Sequence, residues 1–239
     1  MNIRLLALAL LFAFGSGTAG RAQTTSRVLN GSRHGRYQAV THYPILRTRT
    51  PLTRFANSTL LAWARSEQRT FAREVGEARA GRKTLDAQEG VNPYAYEARP
   101  IYIHYFAPRL FSVGMEEYTD LGGAHPSTER DTFNFGLVHG QPKRLTLGDF
   151  FRPGAAYRAR VQKVVLAKLR KTGRADWLQD GSVKTLTRVE INRFVVERDG
   201  LRFYLNPYDV GSYASGPFQV KLRWAELGPS FNRSLVSAR

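Results

Sequence analysis

Apolar and polar residues alternate through residues 110–137 in two runs that fold back on each other across a glycine-rich turn. In the first run Phe111, Val113, Met115 and Glu117 alternate with Ser112, Gly114, Glu116 and Tyr118; in the second, Phe133 and Phe135 alternate with Asn134 and Gly136. A period of two is the signature of a strand with one face in a core. The pattern predicts a hairpin around Gly122-Gly123-Ala124-His125-Pro126, with Phe133 and Phe135 turned inward. The glycine pair supplies backbone freedom, and Pro126 fixes the direction in which the chain leaves. A hairpin of this kind sets the register of a whole sheet.

Other segments fall into place around it. Residues 37–47 read as a short strand, and Pro44 argues for an edge position because proline has no N–H to give a ladder. Thr50 or Thr53 caps a helix running to about Ala80 and stopped by Gly81. On it Leu60, Trp63, Phe71 and Val75 share one face, while Arg65, Arg69, Arg73, Glu74 and Glu77 lie off it, the stripe of a helix packed on a sheet. Residues 82–92 are polar and read as a linker, followed by an aromatic strand over 93–106 that Pro100 interrupts. Its tyrosines, Tyr94, Tyr96, Tyr102 and Tyr105, suit cross-strand pairs on a half-buried sheet or a sugar-stacking surface. After the hairpin, a second helix is predicted over about 155–171, with Tyr157, Val161, Val164, Val165, Ala167 and Leu169 on its apolar side and Gly173 at its end. Trp177 and Leu178 dock a loop on the core. Residues 187–196 are β-patterned, Asp199-Gly200 signals a hairpin returning through 201–205, and 218–222 make a last strand before a short closing segment at 224–227.

Strands in sets with two helices predict an α+β fold, antiparallel sheets each packed with one main helix in two lobes. The expected divisions are a signal peptide over 1–22, a flexible leader over 23–36, an N-terminal half over 37–126, a C-terminal half over 127–228 and a loose tail over 229–239.

The signal peptide rests on a positive start, Met1-Asn2-Ile3-Arg4, an apolar run over 5–14 and small residues up to Ala22. Its apolar run is shorter than the roughly 20 residues that span a bilayer, and no later segment is apolar enough to try. The chain is therefore expected to be secreted or periplasmic, with no transmembrane segment once the signal is cut. The absence of cysteine removes disulfides, thiolate metal sites and thiol nucleophiles. Without Arg4 and Arg21, 34 basic residues face 19 acidic ones, a net charge of +15. Such a field attracts anionic envelope polymers, but the basic residues are spread along the chain, which also fits a solvated basic surface. Export argues against nucleic acid as a partner.

No catalytic motif survives inspection. His125 with Asp120, Glu116 and Glu117 is the best metal constellation, and it falls short because neighbouring strand positions send Glu116 and Glu117 to opposite faces. Residues 211–216, GSYASG, lack the G-x-S-x-G spacing of a serine nucleophile. Asp209, Glu129 and Asp131 are candidates for a glycosidase carboxylate pair by default alone. No metal and no cofactor is assigned. A binding surface is better supported. In residues 206–217, Tyr208 and Tyr213 offer amphipathic contacts, and Gly211 and Gly216 allow close backbone approach. The competing reading has both tyrosines plugging the core and Asp209 capping backbone amides. The candidate ligand-binding residues are Gly122, Gly123, His125, Tyr208, Asp209 and Tyr213.

Taken in order, Tyr43-Pro44, the long helix, LFSV at 110–113, GGAHP at 122–126, LTLGDFF at 145–151 and NPYDVGSYASG at 206–216 resemble one extracytoplasmic family. It is found as the ectodomain of the anti-sigma factor RsiV and beside the catalytic domain of the peptidoglycan deacetylase PdaC: the DUF3298 type, with a DUF4163-like N-terminal half. The resemblance implies a non-catalytic envelope domain that binds peptidoglycan, another anionic envelope polymer or an envelope protein. Lysozyme enters as a partner by resemblance to RsiV alone, and the positive charge opposes a basic lysozyme at long range. The alternative is a cell-envelope hydrolase acting on peptidoglycan or polysaccharide.

Overall fold

A computed structural model describes residues 24–81, 94–106 and 109–236. The predicted signal peptide and the linker over 82–92 lie outside the described residues. The first unit is a six-stranded sheet in the order β1-β2-β3-β4-β5-β6, made of β1 (Thr24–Asn30), β2 (Gln38–Leu46), β3 (Tyr94–Phe106), β4 (Leu110–Leu121), β5 (Ser127–Val138) and β6 (Gln141–Arg144). The long helix α1 (Pro51–Gly81) covers one face. The second unit holds α2 (Tyr157–Arg170), α3 (Asp176–Gln179) and α4 (Arg188–Asn192), with a three-stranded sheet of β7 (Phe194–Val196), β8 (Gly200–Leu205) and β9 (Phe218–Arg223). The α+β class stands.

The central hairpin forms where the alternation puts it, with β4 and β5 paired from Leu110↔Gly136 to Thr119↔Ser127. Phe111, Val113, Met115, Phe133 and Phe135 are buried beneath Leu52, Ala56, Leu60 and Ala64 of α1. Thr50 caps α1, its hydroxyl accepting from the Thr53 amide at 3.2 Å. A second patch of α1, Phe71 and Val75, closes over Tyr37, Tyr94 and Tyr96, which places those two β3 tyrosines in a core.

Several expectations are corrected. Residues 24–30 are not a flexible leader but strand β1, antiparallel to β2; it buries little apolar surface and is held by backbone pairing and by Gln68 of α1, whose amide donates to the Leu29 carbonyl. Pro44 is consequently on an inner strand, tolerated because the β2/β3 ladder spans Gln38–Thr41 and stops short of it. That ladder is parallel, because a helix between adjacent strands returns the chain to the end where it started. The boundary at 126/127 would cut the β4/β5 ladder in half: the first unit runs through β6, and the second begins at the 3-10 turn Leu147–Phe150. Residues 188–192 are helical rather than extended, since Thr187 and Glu190 form a reciprocal capping box. The tail is docked as well, with Phe231 buried and bridged to Phe151.

The two units meet through β7. One edge of this strand pairs with β8, and the other faces the side of the large sheet opposite α1. There Tyr102 donates to the Val196 carbonyl (2.6 Å), Ser112 accepts from the Val196 amide (2.9 Å), and the Asn134 side-chain amide donates to the Phe194 carbonyl (2.8 Å). Ser112 in turn donates to Asn134 at 2.7 Å. Side chains thus satisfy a strand edge that otherwise stands open.

Candidate functional site

The turn at 122–126 and the loop at 206–216 are brought together at one end of the molecule. Tyr213 donates its hydroxyl to the Pro126 carbonyl at 2.8 Å, and the His125 ring stacks on the Tyr213 ring with centroids 3.7 Å apart. Tyr208 follows at 6.1 Å from Tyr213, and Trp177 at 6.2 Å from Tyr208. Four aromatic rings from three separate segments therefore form one row along the surface. His125 and Tyr208 are exposed, and Trp177 and Tyr213 are half-buried.

Local chemistry fixes each member. Gly122 sits at φ +63°, in the region that favours glycine, and its amide is held by Asp120 Oδ1 at 2.8 Å. Gly123 has no such need. Its missing side chain would meet nothing nearer than the His125 carbonyl at 4.0 Å. Asn206, Pro207, Tyr208 and Asp209 make a tight turn closed by the Asp209 amide on the Asn206 carbonyl at 3.1 Å. Its third residue takes positive φ, where glycine or asparagine is usual, yet Tyr208 stands there at φ +69° with 54% of its surface exposed. A bulky residue in that conformation costs of order 1 kcal/mol or more, and this one recovers little of it by burial.

Asp209 is not a free carboxylate. It accepts from the Asn206 amide at 2.6 Å and pairs with Arg193, both side chains largely shielded from solvent. The reading in which Asp209 caps backbone amides describes it; the one in which both tyrosines plug the core does not describe Tyr208. Asp176 supports the other flank, accepting from the Ser212 amide at 3.0 Å and the Ser215 hydroxyl at 2.9 Å. Gly211 is needed here because a Cβ would lie 2.3 Å from Asp176 Oδ1. Trp177, Asp176 and Arg193 were not singled out from the sequence as parts of this site. The one available signal was Trp177 in the polar stretch RADWLQD, at 174–180, beside the buried Leu178.

The other candidate carboxylates lie elsewhere. Glu116 is clamped by Arg99 (3.1 Å) and Arg130 (3.0 Å); burial alone raises its pKa, and the two guanidiniums outweigh it and leave it below the usual carboxylate value. On the α1 side of the sheet, Glu117 receives the Tyr96 hydroxyl at 2.8 Å. Burial and then the nearby Asp131 charge push Glu117 up to about 8, with Glu67 and Glu129 adding to the repulsion and the Tyr96 hydrogen bond opposing it. Glu129 and Asp131 therefore belong to this acidic group under the helix, not with Asp209, and His125 stacks on Tyr213 while Asp120 holds the turn. Among the described residues no three His, Asp or Glu side chains are grouped as a metal would require.

The raised Glu117 has a consequence for stability. A carboxyl whose folded pKa, about 8, exceeds its unfolded value binds a proton preferentially in the native state, so its contribution is fully present below the unfolded pKa and is lost as pH climbs through about 8. Glu117→Gln keeps an acceptor for Tyr96 and removes the charge. It is expected to be more stable than the parent by about 1–2 kcal/mol at alkaline pH and nearly equal at acid pH, as read from urea unfolding across that range.

Comparison with known proteins bears on the second unit first. A family model described as "Protein of unknown function (DUF3298)" matches residues 148–225. The peptidoglycan-N-acetylmuramic acid deacetylase PdaC of Bacillus subtilis (strain 168) is 23% identical over 171 residues, 70% of this chain and 34% of that protein. The alignment thus spans about a third of that curated relative's length. Two solved structures share the fold. One is a DUF3298 family member from Bacteroides fragilis NCTC 9343, with a TM-score of 0.62 at 19% identity, covering 89% of this chain and 95% of that one. The other is a DUF3298 family protein from Pseudomonas aeruginosa PAO1, with a TM-score of 0.60 at 15% identity, covering 92% and 99%.

Proposed function

We propose that this chain, whose residues 148–225 match the DUF3298 family model, is an exported, non-catalytic envelope domain that binds a cell-wall polymer through the joined tips at 122–126 and 206–216. The observation that carries the reading is the row Trp177, Tyr208, Tyr213 and His125, with Tyr208 held exposed in a strained turn conformation. Sugar rings present apolar C–H faces that stack on exposed aromatics, while tyrosine hydroxyls and indole N–H groups meet their polar rims. One further observation supports the wall as the place of action: the related B. subtilis protein is named for peptidoglycan. Residues 1–22 supply the export signal in this reading, and the N-terminal unit corresponds to the DUF4163-like half.

Tyr208→Gly separates ligand binding from folding. Glycine fits the positive φ, so the variant is expected to keep the parent's thermal midpoint or to gain up to about 1 kcal/mol, while retention on purified peptidoglycan falls at least tenfold. The measurement is co-sedimentation at low and high salt beside a melting curve. Unchanged retention sinks the proposal, and so does retention that vanishes with modest salt in the parent chain.

One observation favours an envelope hydrolase instead. A protonated Glu117 beside Asp131 and Glu129 has the composition of an acid and base pair. That reading requires the protein to release soluble fragments from peptidoglycan and to lose this activity in Glu117→Gln. The binding reading expects no release from either.

A further inference from the structure

Between Asp149 and Asp176 the chain carries eight basic residues and no acidic one. Most of this stretch is α2, whose inner side, Val161, Val165, Leu166 and Leu169, is buried in the second core. Arg160, Lys163, Arg170 and Lys171 are exposed on its outer side, spaced as successive turns of one helix face require. In this unit Lys168 of the same helix pairs with Glu226, Arg193 with Asp209, and Arg202 and Lys221 with Glu197. No ion pair joins Lys163, Arg170 or Lys171 to an acid among the described residues. The row therefore projects an unneutralised positive field along a helix about 21 Å long.

Its position gives the field a direction. The C-terminal end of α2 runs through Arg174 into Trp177, the first ring of the aromatic row. Arg174 donates to the Ser215 carbonyl at 2.8 Å and lies over the Phe218 ring, so one cation is anchored on the tip loop itself. The C-terminal end of α2 is thus tied to the loop that carries the rings through Arg174, with Arg170 and Lys171 four and three residues before it in the chain.

We infer that the ligand is an anionic glycan, whose sugar faces rest on the aromatic row while its carboxylate or phosphate groups are read by Lys163, Arg170 and Lys171 of α2. This rests on the aromatic row being the sugar platform, and it adds the ligand's charge. Charge arranged for solubility alone does not discriminate between glycans.

The test uses the full exported chain, the triple variant Lys163→Gln, Arg170→Gln, Lys171→Gln, and Tyr208→Gly. Each is titrated with a neutral N-acetylglucosamine oligomer, a glycan strand bearing N-acetylmuramic acid carboxylates, and a glycosylated poly(glycerol phosphate). The parent is expected to bind one or both anionic glycans at least tenfold tighter than the neutral one at about 50 mM salt, with the difference shrinking toward about 300 mM. The triple variant, which alters outer-face residues alone, should melt with the parent and bind the anionic glycans no better than the neutral one. Tyr208→Gly should lose all three. Which anionic arm binds identifies the source of the charge. Equal affinity of the parent for neutral and anionic glycans overturns the inference and leaves the sugar platform standing. Anionic binding that survives Tyr208→Gly but not the triple change overturns both, because charge then acts without the rings.

Discussion

Asn134→Ala is expected to lower folding stability by about 2–4 kcal/mol, the cost of leaving buried polar groups without partners. Asn134 is 2% exposed and Ser112 is fully buried, and together they take the Phe194 carbonyl and the Val196 amide of β7. Truncation strands the Phe194 carbonyl, deprives the Ser112 hydroxyl of its acceptor and opens a small void between the sheets. Ser112→Ala strands the Val196 amide and takes the donor from Asn134 Oδ1, but it removes a smaller side chain and should cost less, about 1–3 kcal/mol. Urea unfolding followed by tryptophan fluorescence reads both, since Trp63 lies in the first unit and Trp177 and Trp224 in the second. A loss below about 0.5 kcal/mol for Asn134→Ala would mean that apolar contacts alone hold the units together.

That polar seam marks the limit of what alternation tells. The period of two in residues 110–137 located the hairpin and its inward faces correctly, because Phe111, Val113, Phe133 and Phe135 are large and apolar. Ser112 and Asn134 on the opposite face look like solvent positions, and nothing near them says otherwise. Their partners are 84 and 60 residues away along the chain. The same distance hides the joining of the two tips: each loop was legible from its glycines and tyrosines, whereas the bond from Tyr213 to Pro126 spans 87 residues. Strand β1 was missed for a different reason. TTSRVLN at 24–30 has no continuous apolar face, since backbone pairing with β2 holds it in place. At 187–196 the β-branched and aromatic content of RVEINRFVV outweighed the start signal carried by Thr187 and Glu190, although that capping box was present in the sequence.

Asp209→Ala is expected to be the more damaging change at the tip, costing about 3–5 kcal/mol, because it removes one partner of a shielded ion pair and leaves the other charge unmatched. In the folded chain Asp209 holds two groups at once, the Arg193 guanidinium from the end of α4 and the Asn206 amide at the end of β8. Asn206 ties the same corner to the large sheet, its side-chain oxygen accepting from the Arg130 amide at 2.9 Å. Loss of Asp209 thus loosens the turn that presents Tyr208 and weakens the link between β8 and β5. Polymer binding should fall with stability, in contrast to Tyr208→Gly, where binding falls and stability does not. Asp209→Asn distinguishes position from charge: its amide oxygen still accepts from Asn206, so the turn should persist, while the lost attraction to Arg193 should cost about 1–3 kcal/mol. Retained polymer binding by Asp209→Asn at a temperature where it is fully folded would show that Asp209 positions the aromatic row without touching the ligand. Binding abolished in a folded Asp209→Asn would instead make the carboxylate part of the contact surface, and the division of labour between a buried clamp and an exposed row would have to be abandoned.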